Sequence, residues 1–531
     1  METIKDFLTQ HAKKEPVSFH MPGHKGASIF KENGYGDFLK YIVDLDITEI
    51  PGADNLFQPE DIIKATMERY KRLYGSRASY LLINGSTAGI VAAIMASAKE
   101  GSSIVMARNC HKSAFNGLKL GRINPVYAYP ETVPEYGISG EITADEIARC
   151  LDENPEAEAV ILPSPNYYGI CSDIEAIASE VHGRGKILIV DQAHGAHLKF
   201  FKARAGASQG RGPCDLERPK TSAPGGLDPK AGGLGLGVLP KSAEEQGADI
   251  VINSTHKTLA SFTQTAILNV CTDRVDLKLL EDKLQQIEST SPSYILMMSL
   301  DVNADILEKH GERLIAQWME NLEFFYEEAA KVPGLRCLRA DNLDYTKINL
   351  DMGFDGLELE RMLNQRHIYP ELVTGNIVMC MTGIGNSRED YERLLAALRE
   401  IEAERQSSGL ADSDSWKQSS GPADSDSWRQ SSGPAGADGA GGQDGPDCQS
   451  ALAFGQKLEM GKMPAESLWI PMEEGDGRVC ASSIIPYPPG IPIACPGEIL
   501  TKELLDYVKA LRSQGEKVMG VDEDFRICVG K

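Results

Sequence analysis

A lysine follows a strand-like run in the segment VINSTHKTLASFTQ (251–264), where hydroxyl groups and an imidazole surround it. Burying an ammonium group is costly unless the group is paired or loses its proton. A desolvated lysine has a lowered pKa and can form a Schiff base with an aldehyde, which makes Lys257 a candidate nucleophile. The alternative is a surface lysine whose stem lies along the strand end.

Two further strand-like runs end in groups of complementary chemistry. SYLLIN (79–84) leads into Ser86 and Thr87, where a turn and a helix start could bind phosphate, although serine and threonine are also common helix caps. KILIVD (186–191) ends in Asp191, which could cap a turn or pair with a cation.

Together the three strand ends have the groups that pyridoxal 5'-phosphate (PLP) requires. Lys257 would bind the aldehyde, Asp191 would pair with the pyridinium nitrogen, and the Ser86 turn would hold the phosphate. Ser254 and His256 are available for the same phosphate.

These residues need a sheet that brings strand ends to one edge. Short apolar runs alternate with helix-like segments, which predicts a mostly parallel sheet covered on both faces, with the chemistry at the carboxyl ends of its strands. The predicted strands are 79–84, 103–108, 159–164, 186–191, 249–254 and 266–271.

The rest of the chain divides by composition. A Gly/Pro-rich stretch at 202–237 predicts a flexible insertion, and the QSSG-type repeat at 406–450 predicts a disordered linker. Dense prolines make 484–498 an irregular loop. The predicted units are an N-terminal segment (1–60), a PLP-binding large domain (61–290), a small domain (291–405), the linker (406–450) and a C-terminal domain (451–531).

The composition narrows the class of protein. A formal net charge of −23 argues against nucleic acid and anionic membranes as partners and leaves cationic small molecules unhindered. The 11 scattered cysteines include no C-x-x-C pair, which is typical of reduced thiols in a cytoplasmic protein. We find no signal peptide, and no apolar run approaches the length of a membrane span.

Six motifs in order resemble the bacterial ornithine/lysine/arginine decarboxylases, which are PLP enzymes of the aspartate-aminotransferase fold type I. They are FHMPGHKG (19–26), NGST (84–87), NCHKS (109–113), DQAHGAH (191–197), STHKTLASFTQ (254–264) and PYPPGIP with PGE (486–498). The short start before HMPGHKG is similar to the biosynthetic members. The resemblance implies an α/β fold: a large domain with a mostly parallel sheet, a smaller α/β domain and a C-terminal α+β domain.

The resemblance also implies roles for individual residues. Lys257 and Asp191 would act on PLP as described above, and Ala193 would pack on one face of its ring. His111 would stack on the other face, with a turn cap as the alternative role for its position. His194 would lie at the site edge. Glu498 is our candidate for the substrate's distal cation, with Tyr487 nearby. The segment STSPSY (289–294) looks like one that reaches a neighbouring subunit, which implies a homodimer or a higher homo-oligomer.

Several alternatives remain. The substrate could be arginine, lysine or ornithine, with a slight preference for the first two. An aminotransferase or aldolase is the rival reaction; for an aminotransferase, Arg388 is the one candidate carboxylate clamp. A catalytically silent binding protein is the rival class. Two histidine pairs, His20 with His24 and His194 with His197, could suggest zinc, but no cysteine set accompanies them, so we expect no metal.

Overall fold

The computed structural model describes residues 3–201, 239–407, 458–461, 464, 466–487, 492–513 and 517–531, with the backbone alone at Tyr487. The insertion at 202–237 and residues 408–450 of the repeat lie outside this part. The helices are α1 (Ile4–Lys13), α2 (Ser28–Glu32), α3 (Gly36–Lys40), α4 (Ile62–Tyr74), α5 (Gly85–Ser97), α6 (Lys112–Gly121), α7 (Ala144–Glu153), α8 (Ile174–Gly183), α9 (Thr255–Thr258), α10 (Leu277–Ile287), α11 (Tyr294–Ala329), α12 (Gly356–Gln365), α13 (Arg388–Ser407) and α14 (Lys502–Ser513).

The strands form one large sheet and several smaller ones. They are β1 (Val17–Phe19), β2 (Ala78–Leu82), β3 (Ser103–Ala107), β4 (Asn124–Ala128), β5 (Thr132–Val133), β6 (Ile138–Ser139), β7 (Ala159–Pro163), β8 (Ile187–Asp191), β9 (Ile250–Asn253), β10 (Ala266–Val270), β11 (Arg336–Cys337), β12 (Lys347–Asp351), β13 (Ile368–Pro370), β14 (Leu372–Thr374), β15 (Ile377–Met381), β16 (Ser467–Pro471), β17 (Ile485–Tyr487), β18 (Lys517–Met519) and β19 (Arg526–Gly530).

The seven-stranded sheet has the order β2-β10-β9-β8-β7-β3-β4. The strands β9, β8, β7, β3 and β4 run parallel to one another, whereas β10 is antiparallel to both β2 and β9. Every residue of β3 and β7 is buried because helices cover both faces, as the continuous apolar runs predicted. All six predicted strands form, within two residues of their predicted ends.

The sequence analysis missed β4, at the edge of this sheet. This strand begins with an exposed Asn124 and contains Pro125, which has no N–H to give to a sheet. Such a composition does not resemble a buried strand, but it suits an edge.

The four-stranded sheet has the order β11-β12-β15-β14 and is antiparallel. It shares a core with α11, α12 and α13, in which Trp318, Phe325 and Tyr391 are almost completely buried. Near the N-terminus, β1 pairs in parallel with β13, so that the segment FHMPGHKG begins beside this second sheet.

The C-terminal segment contains α14 and two small antiparallel sheets, β16 with β19 and β17 with β18. The expectation that 484–498 is irregular throughout is wrong, because Ile485–Tyr487 pair with β18. Pro486 is tolerated because a strand of a two-stranded sheet needs hydrogen bonds on one side only. Across the described ranges, no helix combines the length and apolar character that crossing a membrane requires.

Candidate active site

The carboxyl ends of β3, β7, β8 and β9, which are neighbours in the large sheet, meet at one pocket. The pocket is lined by Ser86, His111, Pro163, Pro165, Tyr167, Asp191, Ala193, His194 and Lys257. Apart from Pro163, Pro165 and Tyr167, these residues are all ones that the sequence analysis proposed. The topology thus gathers residues from four separate motifs at the sheet edge where parallel folds carry their chemistry.

Lys257 lies on α9, a single turn of helix directly after β9. Four residues cannot hold a helix on their own, because the first turn fixes several dihedral angles for one hydrogen bond. Contacts from elsewhere support it: the Gly23 N–H donates to the His256 carbonyl at 2.7 Å, and the Ile384 N–H donates to the Thr258 carbonyl at 2.9 Å. The N-terminal motif and the loop after β15 therefore hold the lysine in place.

The amine of Lys257 faces an imidazole. Its Nζ lies 2.9 Å from Nε2 of His194. Burial lowers the pKa of Lys257, while Asp191 and Glu371 act in the opposite direction. Burial and the charge of Lys257 lower the pKa of His194, so this imidazole is neutral and can share a proton with the amine. His194 is therefore in contact with the Lys257 amine, closer than the site edge that we expected.

Asp191 is the last residue of β8 and is only 8% exposed. Its Oδ1 accepts a hydrogen bond from the Ala193 N–H at 3.1 Å, so it caps the turn that follows the strand. Burial raises the pKa of Asp191, whereas Lys257 and the Ala193 N–H partly offset that effect. A desolvated carboxylate on the pocket wall gains from a cationic N–H partner, which is what a pyridinium supplies.

His111 combines the two roles that its sequence position suggested. It is the N-cap of α6, where its Nδ1 accepts from the Ser113 N–H at 3.3 Å and lies 2.8 Å from the Ser113 hydroxyl. Its ring lines the pocket, and burial together with the charge of Lys257 lowers its pKa to about 3. The imidazole is thus neutral and held in one orientation, as a ring that packs against a planar ligand would be.

The residues predicted to bind the phosphate differ in their exposure to solvent. Ser86 lines the pocket at the start of α5, whose N-cap Asn84 makes no side-chain cap, so this side chain leaves the N–H groups of the first turn open to an anion. Thr87 is exposed and is not among the pocket walls. Ser254 is completely buried, and its hydroxyl has no hydrogen-bond partner within the described residues.

His256 is constrained by the backbone. Its Nδ1 lies 2.7 Å from the carbonyl oxygen of Thr265, so this nitrogen carries a proton and donates. Burial lowers the pKa of His256 to about 4, which leaves Nε2 as a lone pair. Nε2 of His256 could donate to a phosphate only if the negative charge of that phosphate kept a second proton on the imidazole. The role of His256 in binding phosphate therefore stays a prediction.

The residues present fit PLP. A buried hydroxyl without a partner costs about 1–3 kcal/mol, and a phosphate oxygen would remove that cost at Ser254. His194 Nδ1 is a second buried polar atom without a partner in the described part of the chain. The nucleophilic amine, the desolvated carboxylate, the neutral His111 ring and the small Ala193 side chain supply the remaining contacts that such a ring and aldehyde require.

Glu498 requires a correction. Its side chain is completely buried, and its two carboxylate oxygens accept from Nε and Nη2 of Arg108 at 2.8 and 2.9 Å. Oε2 also accepts from the Cys495 N–H at 2.7 Å, and Arg108 donates to the Pro492 carbonyl at 2.6 Å. A carboxylate that is saturated in this way is not available to a substrate cation. We therefore revise its expected role: Glu498 fastens the C-terminal segment to the residue that follows β3.

The remaining two candidates, Tyr487 and Arg388, have different outcomes. The side chain of Tyr487 lies outside the described part of the chain, so its predicted place near the substrate stays a prediction. The guanidinium of Arg388 lies 3.1 Å above the ring of Phe324 and 3.4 Å from Glu392, away from the pocket walls. Nothing in that position favours a carboxylate clamp of the aminotransferase kind.

The sequence analysis missed two residues near Lys257. The ring of Tyr167 packs 4.8 Å from that of His194 and forms a wall of the pocket. Glu371 accepts the Met21 N–H at 2.9 Å; burial raises its pKa and Lys257 lowers it. The tyrosine follows β7, so inspection of every strand end would have found it. Glu371 lies in the turn between β13 and β14, and no local pattern marks it.

The histidine pairs make other contacts. His197 lies within 3.1 Å of the Thr258 hydroxyl and 3.2 Å of Asp344, and His194 contacts Lys257. Within the residues that the structure describes, no group of three or more His, Cys, Asp or Glu side chains could hold a metal ion.

Comparison with known sequences agrees with this geometry. The family model for the major domain of Orn/Lys/Arg decarboxylases matches residues 4–220 and 234–348, and the model for their C-terminal domain matches residues 460–526. The arginine decarboxylase of Bacillus subtilis is 27% identical over 535 residues, which cover 97% of this chain and 94% of that protein.

Solved structures show the same fold. The lysine decarboxylase of Francisella novicida superposes with a TM-score of 0.70 at 19% identity and covers 96% of this chain and 78% of its own. The serine palmitoyltransferase of Sphingomonas wittichii has a TM-score of 0.53 at 14% identity, over 74% of this chain and 88% of its own. The predicted fold type I architecture is thus confirmed.

Proposed function

The chain belongs to the Orn/Lys/Arg decarboxylase family and is a decarboxylase; from that premise we propose that it removes the α-carboxylate of a basic amino acid with PLP as its cofactor. The proposed product is the corresponding diamine or polyamine precursor, made in the cytoplasm. One observation carries the proposal: a buried lysine amine shares a pocket with Asp191 and lies 2.9 Å from a neutral imidazole, at the carboxyl end of a parallel sheet.

When bound, PLP supplies an electron sink for bond cleavage at the substrate's α-carbon. Lys257 would hold its aldehyde, and Asp191 would accept a hydrogen bond from its ring nitrogen and keep that nitrogen protonated. Ser254, Ser86 and the first turn of α5 would bind its phosphate. His111 and Ala193 would fix the ring plane between them.

Lys257 and His194 would also supply the proton that replaces the carboxylate on the substrate's α-carbon. The Nε2 of His194 faces the Lys257 amine at hydrogen-bond distance, so a proton taken up by one nitrogen can pass to the other. This pair is our proposed donor for the α-carbon once the carboxylate has left. His194 is buried and Lys257 is half-buried, which limits access by water and protects that carbon from competing proton sources.

Arginine is the substrate that we propose first. The arginine decarboxylase relative aligns over 94% of its own length, whereas the lysine decarboxylase structure aligns over 78% of its own. Because Glu498 is saturated by Arg108, the carboxylate that receives the distal cation must come from elsewhere. A neighbouring subunit is one source, and we propose that the enzyme is a homodimer to which STSPSY (289–294) contributes.

Exposed apolar side chains support a second copy of the chain as partner. Ile4, Phe7 and Leu8 on α1 are 81%, 56% and 57% exposed, and Val43 and Ile50 are 82% and 55% exposed. Apolar surface of this kind is typical of interfaces rather than of solvated faces. Sedimentation of the PLP-loaded protein tests this point, with a monomer at micromolar concentration as the contrary result.

The decisive experiment is CO₂ release from arginine, lysine and ornithine by the purified protein with PLP, beside Lys257→Ala. We expect arginine to be turned over with a kcat/KM at least about tenfold above that of the other two, a difference of about 1.4 kcal/mol. The alanine variant should fall to the background rate. If the protein instead converts the amino acid to its keto acid without releasing CO₂, the proposed reaction is wrong.

A further inference from the structure

Four buried side chains lie behind the pocket, between the two sheets. Asp344, Thr346 and Lys347 lie before and at the start of β12, His197 follows β8, and all four are completely excluded from solvent. We call these residues the Asp344 network. None of them is among the pocket walls, so contact with cofactor or substrate does not account for them.

The network satisfies its own charges. Lys347 Nζ donates to Asp344 Oδ2 at 2.7 Å and to the Thr346 hydroxyl at 3.2 Å, and that hydroxyl donates to Asp344 Oδ1 at 2.7 Å. Burial alone would raise the pKa of Asp344, but His197 and Lys347 beside it hold that pKa well below its usual range. Asp344 is therefore a carboxylate, and His197 directs a protonated Nε2 to it at 3.2 Å.

Among the described residues, two hydrogen bonds of the network's side chains lead out of it, and both reach the lysine site. The third proton of the Lys347 ammonium is donated to the main-chain carbonyl of His194. Since Nε2 of His197 carries the proton, its Nδ1 is a lone pair and accepts from the Thr258 hydroxyl at 3.1 Å. Thr258 follows Lys257 directly, so the network holds both partners of the Lys257–His194 contact.

Stability alone is a weak reason for such a network. Burying two ions costs several kcal/mol each, and well-packed apolar residues in their place are often as stable. Apolar residues, however, cannot form directed hydrogen bonds. The network uses such bonds to fix the carbonyl of His194 and the hydroxyl of Thr258, which belong to two different chain segments.

We propose that the Asp344 network is a positioning device, which fixes the backbones of His194 and Lys257 relative to each other so that their side chains stay within hydrogen-bond reach. This inference rests on the proposed function, because it gives the Lys257–His194 contact a catalytic use. Asp344, Lys347, His197 and Thr258 are positioning residues in this scheme.

The test changes the geometry and leaves the charges in place. Lys257 is faced by Asp191 from β8, Glu371 from the turn before β14, Lys347 from β12, and His111 and His194 from the loops after β3 and β8. A substitution among these would change the local field as well as the position.

Thr258→Val removes one hydroxyl and retains the shape, with Thr258→Ser as the conservative rescue. Thr66→Val is the matched control, since Thr66 is 6% exposed, its hydroxyl donates to Asp301 at 2.9 Å, and neither residue lines the pocket. Thr258→Ala gives the same comparison if the valine variant does not fold.

Each protein is loaded with PLP, and the visible absorbance of the bound cofactor is titrated against pH. Losing the hydrogen bond between Thr258 and His197 should change the apparent pKa of that titration by roughly half a unit or more in Thr258→Val. Misplacement of the amine should lower kcat at least about tenfold, with KM changed less than about threefold. Thr258→Ser and Thr66→Val should follow the wild type.

The outcomes separate this inference from the proposed function. If Thr258→Val titrates and turns over like the wild type, or if the serine variant behaves like the valine variant, the network has no positioning role. If the wild type binds PLP but releases no CO₂, the proposed reaction fails while the absorbance titration still decides on the network. If the wild type binds no PLP at Lys257, both proposals fall.

Discussion

Glu498→Gln tests whether the buried Arg108–Glu498 pair joins the C-terminal segment to the large sheet. The pair is 8% and 0% exposed, and the carboxylate accepts two N–H groups of the guanidinium and one from the main chain. Removing the negative charge leaves a buried guanidinium without a counter-ion, for which we expect a loss of about 3–5 kcal/mol in the free energy of unfolding.

A surface pair of the same length is the matched control. Arg122 and Glu100 are also 2.8 Å apart, but their side chains are 77% and 69% exposed. We expect Glu100→Gln to cost less than about 1 kcal/mol, because water and salt screen the exposed charges. Urea unfolding measures the loss of stability in both variants. Hydrogen exchange in residues 492–513 and 517–531 then shows whether the C-terminal segment opens first.

A double-mutant cycle then isolates the pair. Arg108→Met combined with Glu498→Gln removes both charges, so the double variant should be more stable than Glu498→Gln alone, with a coupling energy of roughly 2–3 kcal/mol. Additive losses would refute the structural role. So would a Glu498→Gln enzyme of normal stability whose KM for the amino acid rises, since that result would return Glu498 to the substrate.

Three further variants test the site and its surroundings. Ser254→Ala should weaken PLP binding about 10- to 100-fold in equilibrium dialysis without destabilising the cofactor-free protein, because the lost hydroxyl has no partner among the described residues; unchanged affinity would remove Ser254 from the phosphate site. Gly23→Ala would place a Cβ 2.4 Å from the Thr258 carbonyl carbon, so kcat should fall about 100-fold, whereas Gly36→Ala meets nothing within 4 Å and should be silent. Burial raises the pKa of the Glu288 carboxyl to about 7, so the folded state binds the carboxyl proton more tightly than the unfolded chain does. The protonated carboxyl therefore stabilises the folded state fully below about pH 4.5, and this stabilisation is lost as pH rises through about 7. Glu288→Gln should therefore be more stable than the wild type above about pH 8, by up to about 3 kcal/mol in urea unfolding, with the difference vanishing near pH 4; a difference that is constant with pH would contradict the assignment.

The strand ends were predictable because each carries its signal locally. Lys257, Asp191 and Ser86 each stand directly after an apolar run, and parallel topology requires such ends to meet. His111 was predictable in the same way, although its two roles as helix cap and pocket wall were posed as alternatives and the structure combines them. One side of an imidazole can cap a helix while its face lines a cavity.

Glu498 and Lys347 show what the sequence could not supply. Their roles depend on partners that are distant in the chain, since Arg108 is 390 positions from Glu498 and Lys347 is 153 positions from the carbonyl it binds at His194. A motif indicates that a charged residue has a purpose but not which residue neutralises it. Tertiary packing decides which charged residues pair. Only the three-dimensional structure therefore distinguishes a carboxylate that binds substrate from one that joins two parts of the fold by an ion pair.

The short helix that carries Lys257 connects these observations. Four residues cannot form a stable helix alone, so α9 exists because its carbonyls and its Thr258 hydroxyl are bonded from outside. Two of those bonds come from the HMPGHKG motif and the loop after β15, which lie beside the second sheet, and the third comes from His197 of the Asp344 network, which follows β8 of the large sheet. The large sheet provides Asp191, the phosphate turn and the strand β9 that leads into α9, whereas two of the contacts that hold α9 come from beside the second sheet. Any movement of one sheet against the other should therefore disturb the contacts that hold the Lys257 amine in place.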